Sequence, residues 1–269
     1  MSYSSSMKNT WSWAYHPCPS NSDSVIPKMA VTTSALADRG SNSVKLFNRA
    51  AHLHAGDAGI KVHYVETMPR DDDAEKGTIV LIHGSPETSY QFRHAMVPLA
   101  EAGYHVIAPD KTGYGFSSKP VGAVHQHDRF TKKSFAKDLH QLLIEHLGIK
   151  DPIHVGHDIG GMVTHEFVCQ FPDSVASVTW GECPLPGSTF YEKKHSSQLW
   201  HFDFQSHMPD VAVALVQGKE RMYLKHFYDR VVQNQAALAP EVLDYYVQQF
   251  SAPDALRCAT FRLSHISCL

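Results

Sequence analysis

Ile153-His154-Val155-Gly156-His157-Asp158-Ile159-Gly160-Gly161 sets a short apolar strand directly before a small-residue turn and a helical pattern that runs from Gly161 to Phe171. Glycines on both sides of Asp158 permit a tight strand-to-helix elbow. The elbow pushes the Asp158 carboxylate out at the carboxyl end of the sheet, where ligands bind in open α/β folds. The dipole of the following helix favours an anion there. G-x-D-x-G alone also reads as a helix N-cap aspartate, but strand, elbow and helix agree on a G-x-nucleophile-x-G arrangement with Asp158 as the candidate catalytic nucleophile.

The same alternation extends outward from this unit. Ile60 to Val65 alternates like a half-buried strand, and Thr78 to Ile82 is a continuous apolar run, as in a strand buried on both faces of a parallel sheet. A helix is expected from Ser89 to Ala102, a strand from His105 to Ala108, a helix from Thr131 to Leu147 and a strand from Val175 to Trp180. Strands alternating with helices predict an α/β class, a doubly wound and mostly parallel sheet. From Pro184 the alternation stops, and Pro209 to Gln217, Lys219 to Val231 and Pro240 to Phe250 read as three helices that act as a lid. The expected organisation is a Ser-rich tail (1–43), a core (44–183), a helical lid (184–257) and a tail of different character (258–269).

Composition narrows the function classes. The 269 residues are 43% hydrophobic and 19% charged, ordinary globular values. Twenty-four Lys and Arg against 27 Asp and Glu give a net charge of -3, so no basic field exists to hold nucleic acid. Five scattered cysteines (Cys18, Cys169, Cys183, Cys258, Cys268) form no C-x-x-C pair, which argues against a disulfide framework or a zinc site and for a reducing, cytoplasmic compartment. No apolar run is long enough to span a membrane, and the first 43 residues lack a secretory h-region. The pairs His125/His127 and His201/His207 lack helical ligand spacing with a third ligand, so no metal is expected.

A second turn, His83-Gly84-Ser85-Pro86, follows the strand Thr78 to Ile82. There the amides of Ser85 and Ile159 are placed to form an oxyanion hole, the alternative being a plain turn.

HGSPETSY (83–90), DKTGYGFSSKP (110–120), GHDIGG (156–161) and the helical block after the last strand together resemble the epoxide hydrolase and haloalkane dehalogenase branch of the α/β-hydrolase superfamily, over about residues 44 to 256. The resemblance implies an Asp158 carboxylate that attacks carbon of an epoxide or carbon–halogen bond, giving an alkyl ester that water, activated by a histidine, then hydrolyses. It implies no cofactor and a small apolar epoxide or halogenated substrate. The acid that orients the histidine is assigned to Glu182, against a merely solvated loop glutamate, and Trp200, His201 and Tyr223 to substrate binding. Tyr223, Tyr228, Tyr245 and Tyr246 are candidate proton donors or helix-packing aromatics. Two departures weaken halide and carboxylate recognition: Ser85 replaces the usual halide-binding Asn, and Ile159 replaces Trp or Arg after the nucleophile.

The family pattern continues past the lid with two more strands and the general-base histidine, whereas Cys258 to Leu269 does not resemble it. The sequence therefore reads as C-terminally truncated, missing the last strands, with His265 no substitute for the base. The expected consequences are inactivity or a single turnover, and self-association through the exposed sheet edge. Competing readings are a non-catalytic ligand- or subunit-binding isoform and a haloalkane dehalogenase.

Overall fold

Alternation of side chains across the sheet builds two apolar layers. In the computed structural model, residues 44–54, 59–70, 75–121, 129–183, 185, 188–189 and 200–263 are described. Strands β1 (Phe47–Leu53), β2 (Ile60–Thr67), β3 (Thr78–Ile82), β4 (His105–Pro109), β5 (Ile153–His157) and β6 (Ser177–Gly181) form one sheet in the order β1-β2-β4-β3-β5-β6. β1 pairs antiparallel with β2 and β2 with β4, while the β4–β3–β5–β6 ladder is parallel. The alternating strand–helix reading is met in this mixed sheet.

Residues two apart fall on the same face. Val80, Ile82 and Ile107 pack with Phe135, Leu139, Val163 and Phe167, whereas Ile79, Leu81, Val106 and Ala108 pack with Met96 and Ala100. The first layer is covered by α2 (Lys132–His140) and α3 (Ile159–Gln170), the second by α1 (Met96–Glu101). Thr131 caps α2 by accepting from the Ser134 amide at 3.1 Å.

Four differences from the sequence expectation have physical causes. The single helix expected from Ser89 to Ala102 is a 3-10 turn (Ser89–Phe92), capped by Thr88, followed by the short α1. The helix expected from Thr131 to Leu147 changes after His140 into a π-helical segment, Gln141–His146, which buries Leu142 and Leu143 together. β1 was not expected, because only Ala51 and Leu53 of its seven residues are buried. The lid has an additional helix, α4 (Trp200–His207), before α5 (Pro209–Val216), α6 (Glu220–Val231) and α7 (Pro240–Phe250).

Lid helices α5, α6 and α7 share a core of Val216, Leu224, Tyr228, Val242, Tyr246 and Phe250, which meets the loop after β3 through Tyr90. Tyr90 stacks on Tyr245 with centroids 4.2 Å apart. Helix α8 (Ala255–Leu263) runs through the 257/258 junction, with Leu256 and Ala259 in the lid core and Cys258 in the sheet core. Residues 1–43, His125, His127, His265 and Cys268 lie outside the described residues. Among the described residues no helix is long and apolar enough to cross a membrane.

Among the described residues, a histidine sits inside the sheet core without a hydrogen-bond partner. His154 on β5 is fully buried against Phe167 (4.3 Å between centroids), both ring nitrogens lack a hydrogen bond, and burial holds its pKa down at about 4. The unfolded chain takes up this proton near pH 6.5 and the folded chain only near 4, so stability is complete above 6.5 and falls between the two values, by on the order of 3 kcal/mol. Denaturant unfolding at pH 7 and pH 4.5 checks this: the acid-induced loss of stability should shrink markedly in His154→Leu.

Candidate active site

The β5–α3 junction makes the elbow expected from the sequence. Asp158 adopts φ 51°, ψ -127°, and its N–H donates to the Gly181 carbonyl of β6 at 3.1 Å. A positive φ is costly for a residue with a Cβ, and surrounding structure must enforce it. Gly160 supplies part of that enforcement, since a side chain there would run into the Ile82 carbonyl of β3.

The elbow brings Asp158 against the turn after β3. The Ser85 N–H donates to Asp158 Oδ2 at 2.8 Å, and the Ile159 amide also favours the charged form of this carboxylate. Burial raises the Asp158 pKa, while these amides, the Lys111 ammonium and His157 oppose the rise; the net direction is upward. The structure thus unites three sequence-predicted residues, Asp158, Ser85 and Ile159.

The turn itself is held from behind. The Lys111 ammonium, on a side chain only 4% exposed, donates to the carbonyls of His83 and Gly84, the latter at 3.4 Å, and lies 5.2 Å from the Tyr114 ring centroid. The Lys111 main-chain N–H donates to His83 Nε2 at 3.1 Å, which leaves the proton of the neutral ring on Nδ1, 2.7 Å from the Gly84 oxygen. The Tyr114 hydroxyl donates to Ser85 Oγ at 2.6 Å. Beneath these, buried Asp110 accepts from the Ser89 amide (2.7 Å) and the Phe116 amide (3.0 Å) and pairs with His63 Nδ1 (2.8 Å). Burial alone would raise the Asp110 pKa, but the bond to His63, the charge of His63 and the Ser89 amide hold it well below the usual carboxylate range.

Glu182 follows β6 with φ 57° and a side chain 73% exposed; its Oε2 lies 3.6 Å from His157 Nε2. His157 Nδ1 is 2.8 Å from Gln91 Nε2 and 3.5 Å from Glu87 Oε2. The neutral ring accepts from Gln91; the charged ring donates to Glu87. The bond to Glu87 and the charges of Glu87, Asp158 and Glu182 outweigh burial and raise the His157 pKa, which favours the charged form. Burial and the Asp158 charge push the neighbouring Cys183 thiol up to about 11.

Of the lid residues, Tyr223 accepts a hydrogen bond from Gln205, and burial, with Tyr114 adding to it, raises its pKa to about 12. Trp200 and His201 instead join an aromatic cluster around Phe227, and burial lowers the His201 pKa to about 4. Tyr245 Oη lies 3.4 Å from Thr88 Oγ1, whereas the buried Tyr228 hydroxyl has no hydrogen-bond partner among the described residues. Lys111, His83 and Tyr114 were missed as site residues by sequence reasoning, although the first and last lie in the DKTGYG stretch.

A family model described as alpha/beta hydrolase fold matches residues 77–266. Epoxide hydrolase B of Mycobacterium tuberculosis is 32% identical over 163 residues, 54% of this chain and 44% of that protein. A soluble epoxide hydrolase of a Corynebacterium strain is 30% identical over 213 residues, 77% of this chain and 69% of the relative. Among solved structures, the epoxide hydrolase CorEH without ligand superposes with a TM-score of 0.67 at 27% identity, covering 82% of this chain and 74% of that one. The chain spans about half the length of several curated relatives it matches.

The tight approach of the two turns is testable on stability. A Cβ at Gly84 would lie 2.9 Å from Asp158 Cβ and Oδ2, whereas one at Gly181 would meet nothing within 4 Å. Gly84→Ala should destabilise the protein by about 1–3 kcal/mol, and Gly181→Ala by less than about 0.5 kcal/mol, measured by denaturant unfolding.

Proposed function

Because the chain belongs to the alpha/beta hydrolase fold family, we propose that it acts as an epoxide-hydrolase-like enzyme in which Asp158 opens an epoxide by forming a covalent ester. The observation that carries this reading is the Asp158 carboxylate at the elbow, clasped by the amides of Ser85 and Ile159. With Oδ2 engaged by Ser85, Oδ1 is the attacking oxygen. Its lone pair forms the bond to an epoxide carbon, the carbon–oxygen bond breaks, and the released alkoxide takes a proton. Tyr223 is the donor in this reading: its raised pKa keeps the hydroxyl protonated in neutral solution, and its titration is influenced by Tyr114, which is bonded to Ser85.

Hydrolysis of the ester follows by addition of water to Asp158 Cγ. Negative charge then develops on Oδ2, where the Ser85 amide already points, with the Ile159 amide close to the same carboxylate. Collapse expels the diol and restores the carboxylate. This step needs a base to take the water proton. Among the described residues, the histidine beside Asp158 is His157, which Glu87 and Glu182 hold in its charged form to higher pH than a free imidazole. The charged ring accepts no proton, so in this reading ester hydrolysis is slowed relative to ester formation below the raised His157 pKa, and Glu182 acts on His157 rather than as a partner of Asp158. The Ser85 in place of an Asn favours an epoxide over a halide substrate, in keeping with the names of the two epoxide hydrolases above, although a haloalkane dehalogenase is 31% identical over 132 residues.

Incubation with styrene oxide tests the reading. Intact-mass analysis should show one epoxide added per chain, located by peptide mapping at Asp158, with slow diol release; Asp158→Asn should abolish the adduct and Tyr223→Phe should slow its formation about 10-fold or more. Absence of both adduct and diol overturns it. Halide release from bromoalkanes would move the activity to dehalogenation, and thermal stabilisation by the epoxide without any adduct would make the chain a ligand-binding protein. β6 also carries the half-exposed Trp180 (40%) and pairs on one side with β5. We assign its other edge to contact with a second copy of this chain; sedimentation velocity should show mass rising with concentration and Val178→Lys suppressing it.

A further inference from the structure

We propose that Lys111 is a positioning residue that strengthens the Ser85 donor by polarising the peptide unit to which it belongs. Gly84 C=O and Ser85 N–H are the two ends of one peptide group. Its oxygen receives the Lys111 ammonium (3.4 Å) and His83 Nδ1–H (2.7 Å), and its hydrogen points at Asp158 Oδ2 (2.8 Å). Donors at the oxygen draw electron density from the amide, which makes N–H a stronger donor; hydrogen bonds in a chain reinforce one another. The ammonium also grips the His83 carbonyl, which fixes the turn from the strand side. All of this lies in a region where Lys111 and His83 are buried, so solvent does not screen it.

The relay is directed. Lys111 follows Asp110, whose carboxylate is bound to the Ser89 and Phe116 amides and to His63; that anchoring sets the backbone from which the lysine rises. Tyr114 offers its ring to the ammonium and its hydroxyl to Ser85 Oγ. The groups facing Asp158 are therefore Lys111 from the loop after β4, His157 on β5, Cys183 beyond β6 and the Ser85 turn; the first two favour its charged form.

This inference rests on the nucleophile reading of Asp158 only for its kinetic consequence; its electrostatic one stands without substrate. The midpoint of Asp158 is followed by carbon-13 NMR of aspartate-labelled protein, with Asp158→Asn assigning the signal. In parallel, the rate of adduct formation with styrene oxide is measured from pH 4 to 8. Lys111→Met should raise the Asp158 midpoint by about one pH unit and slow adduct formation at pH 7 about tenfold; Lys111→Arg should restore most of both. An unchanged midpoint in a folded Lys111→Met overturns the proposal, as does an equal loss in Lys111→Arg. Should Lys111→Met fail to unfold cooperatively, Lys111→Gln, a donor without charge, replaces it, and failure of that variant too makes the lysine a prop of the fold and overturns the proposal. A wild-type chain that forms no adduct refutes the hydrolase reading alone, because the NMR midpoints still decide the relay.

Discussion

Asp158 holds its backbone at φ 51° and ψ -127°, a conformation that costs on the order of 1–3 kcal/mol for a residue with a side chain. Three close contacts enforce it: the bond from its N–H to Gly181 on β6, the approach of Gly160 to the end of β3, and the Ser85 amide on its carboxylate. Each comes from a different strand or turn. The elbow therefore exists only when β3, β5 and β6 are in register, and the register in turn is fixed by apolar alternation on β3 and β4. Core packing and site geometry are the same constraint seen at two scales.

Electrostatics around the elbow follow a single logic. A carboxylate leaving water loses solvation, and burial pushes its pKa up. Fixed donors replace the lost water: two amides on Asp158, two amides and an imidazole on Asp110. The difference between the two aspartates is instructive. Asp110 is so completely satisfied that its charge is locked and it serves as scaffold, whereas Asp158 has a raised pKa, in keeping with the role proposed for it. Lys111 stands between them in sequence space and in structure, directly after one and facing the turn that binds the other.

Much of the fold was legible. β3 read with its bounds because all five residues are apolar or β-branched and buried on both faces, and α7 because Pro240 opens it and its apolar residues recur at helical spacing. β1 was hidden because FNRAAHL buries two residues of seven, and α4 because WHFDFQSH mixes aromatic, polar and charged residues without a dominant period. The π segment keeps the periodicity of a helix while shifting its hydrogen bonds by one residue, a change to which apolar patterning is blind. At the site, Gly156 to Gly161 declared its geometry through local sequence, as did the Ser85 turn. Lys111 did not: a lysine beside a glycine-rich turn reads as solvated, and its burial arises from carbonyls 27 and 28 residues earlier in the chain. Glu182 was named from the sequence, but its approach to His157 arises from a meeting across the β5–β6 edge that local sequence does not show.

Helix α8 gives its two faces to different cores, Leu256 and Ala259 to the lid and Cys258 to the layer beneath the sheet. A connector of that kind ties the two apolar assemblies into one mechanical unit: moving the lid bodily away would strip cover from the sheet core as well. The cysteine thereby becomes a built-in clock. Its thiol, hidden at 0% exposure, meets a water-borne alkylating reagent only when α8 lifts. The speed of its labelling, set against that of the exposed Cys169, reads out how often the joint between lid and sheet opens while the rest of the molecule stays folded.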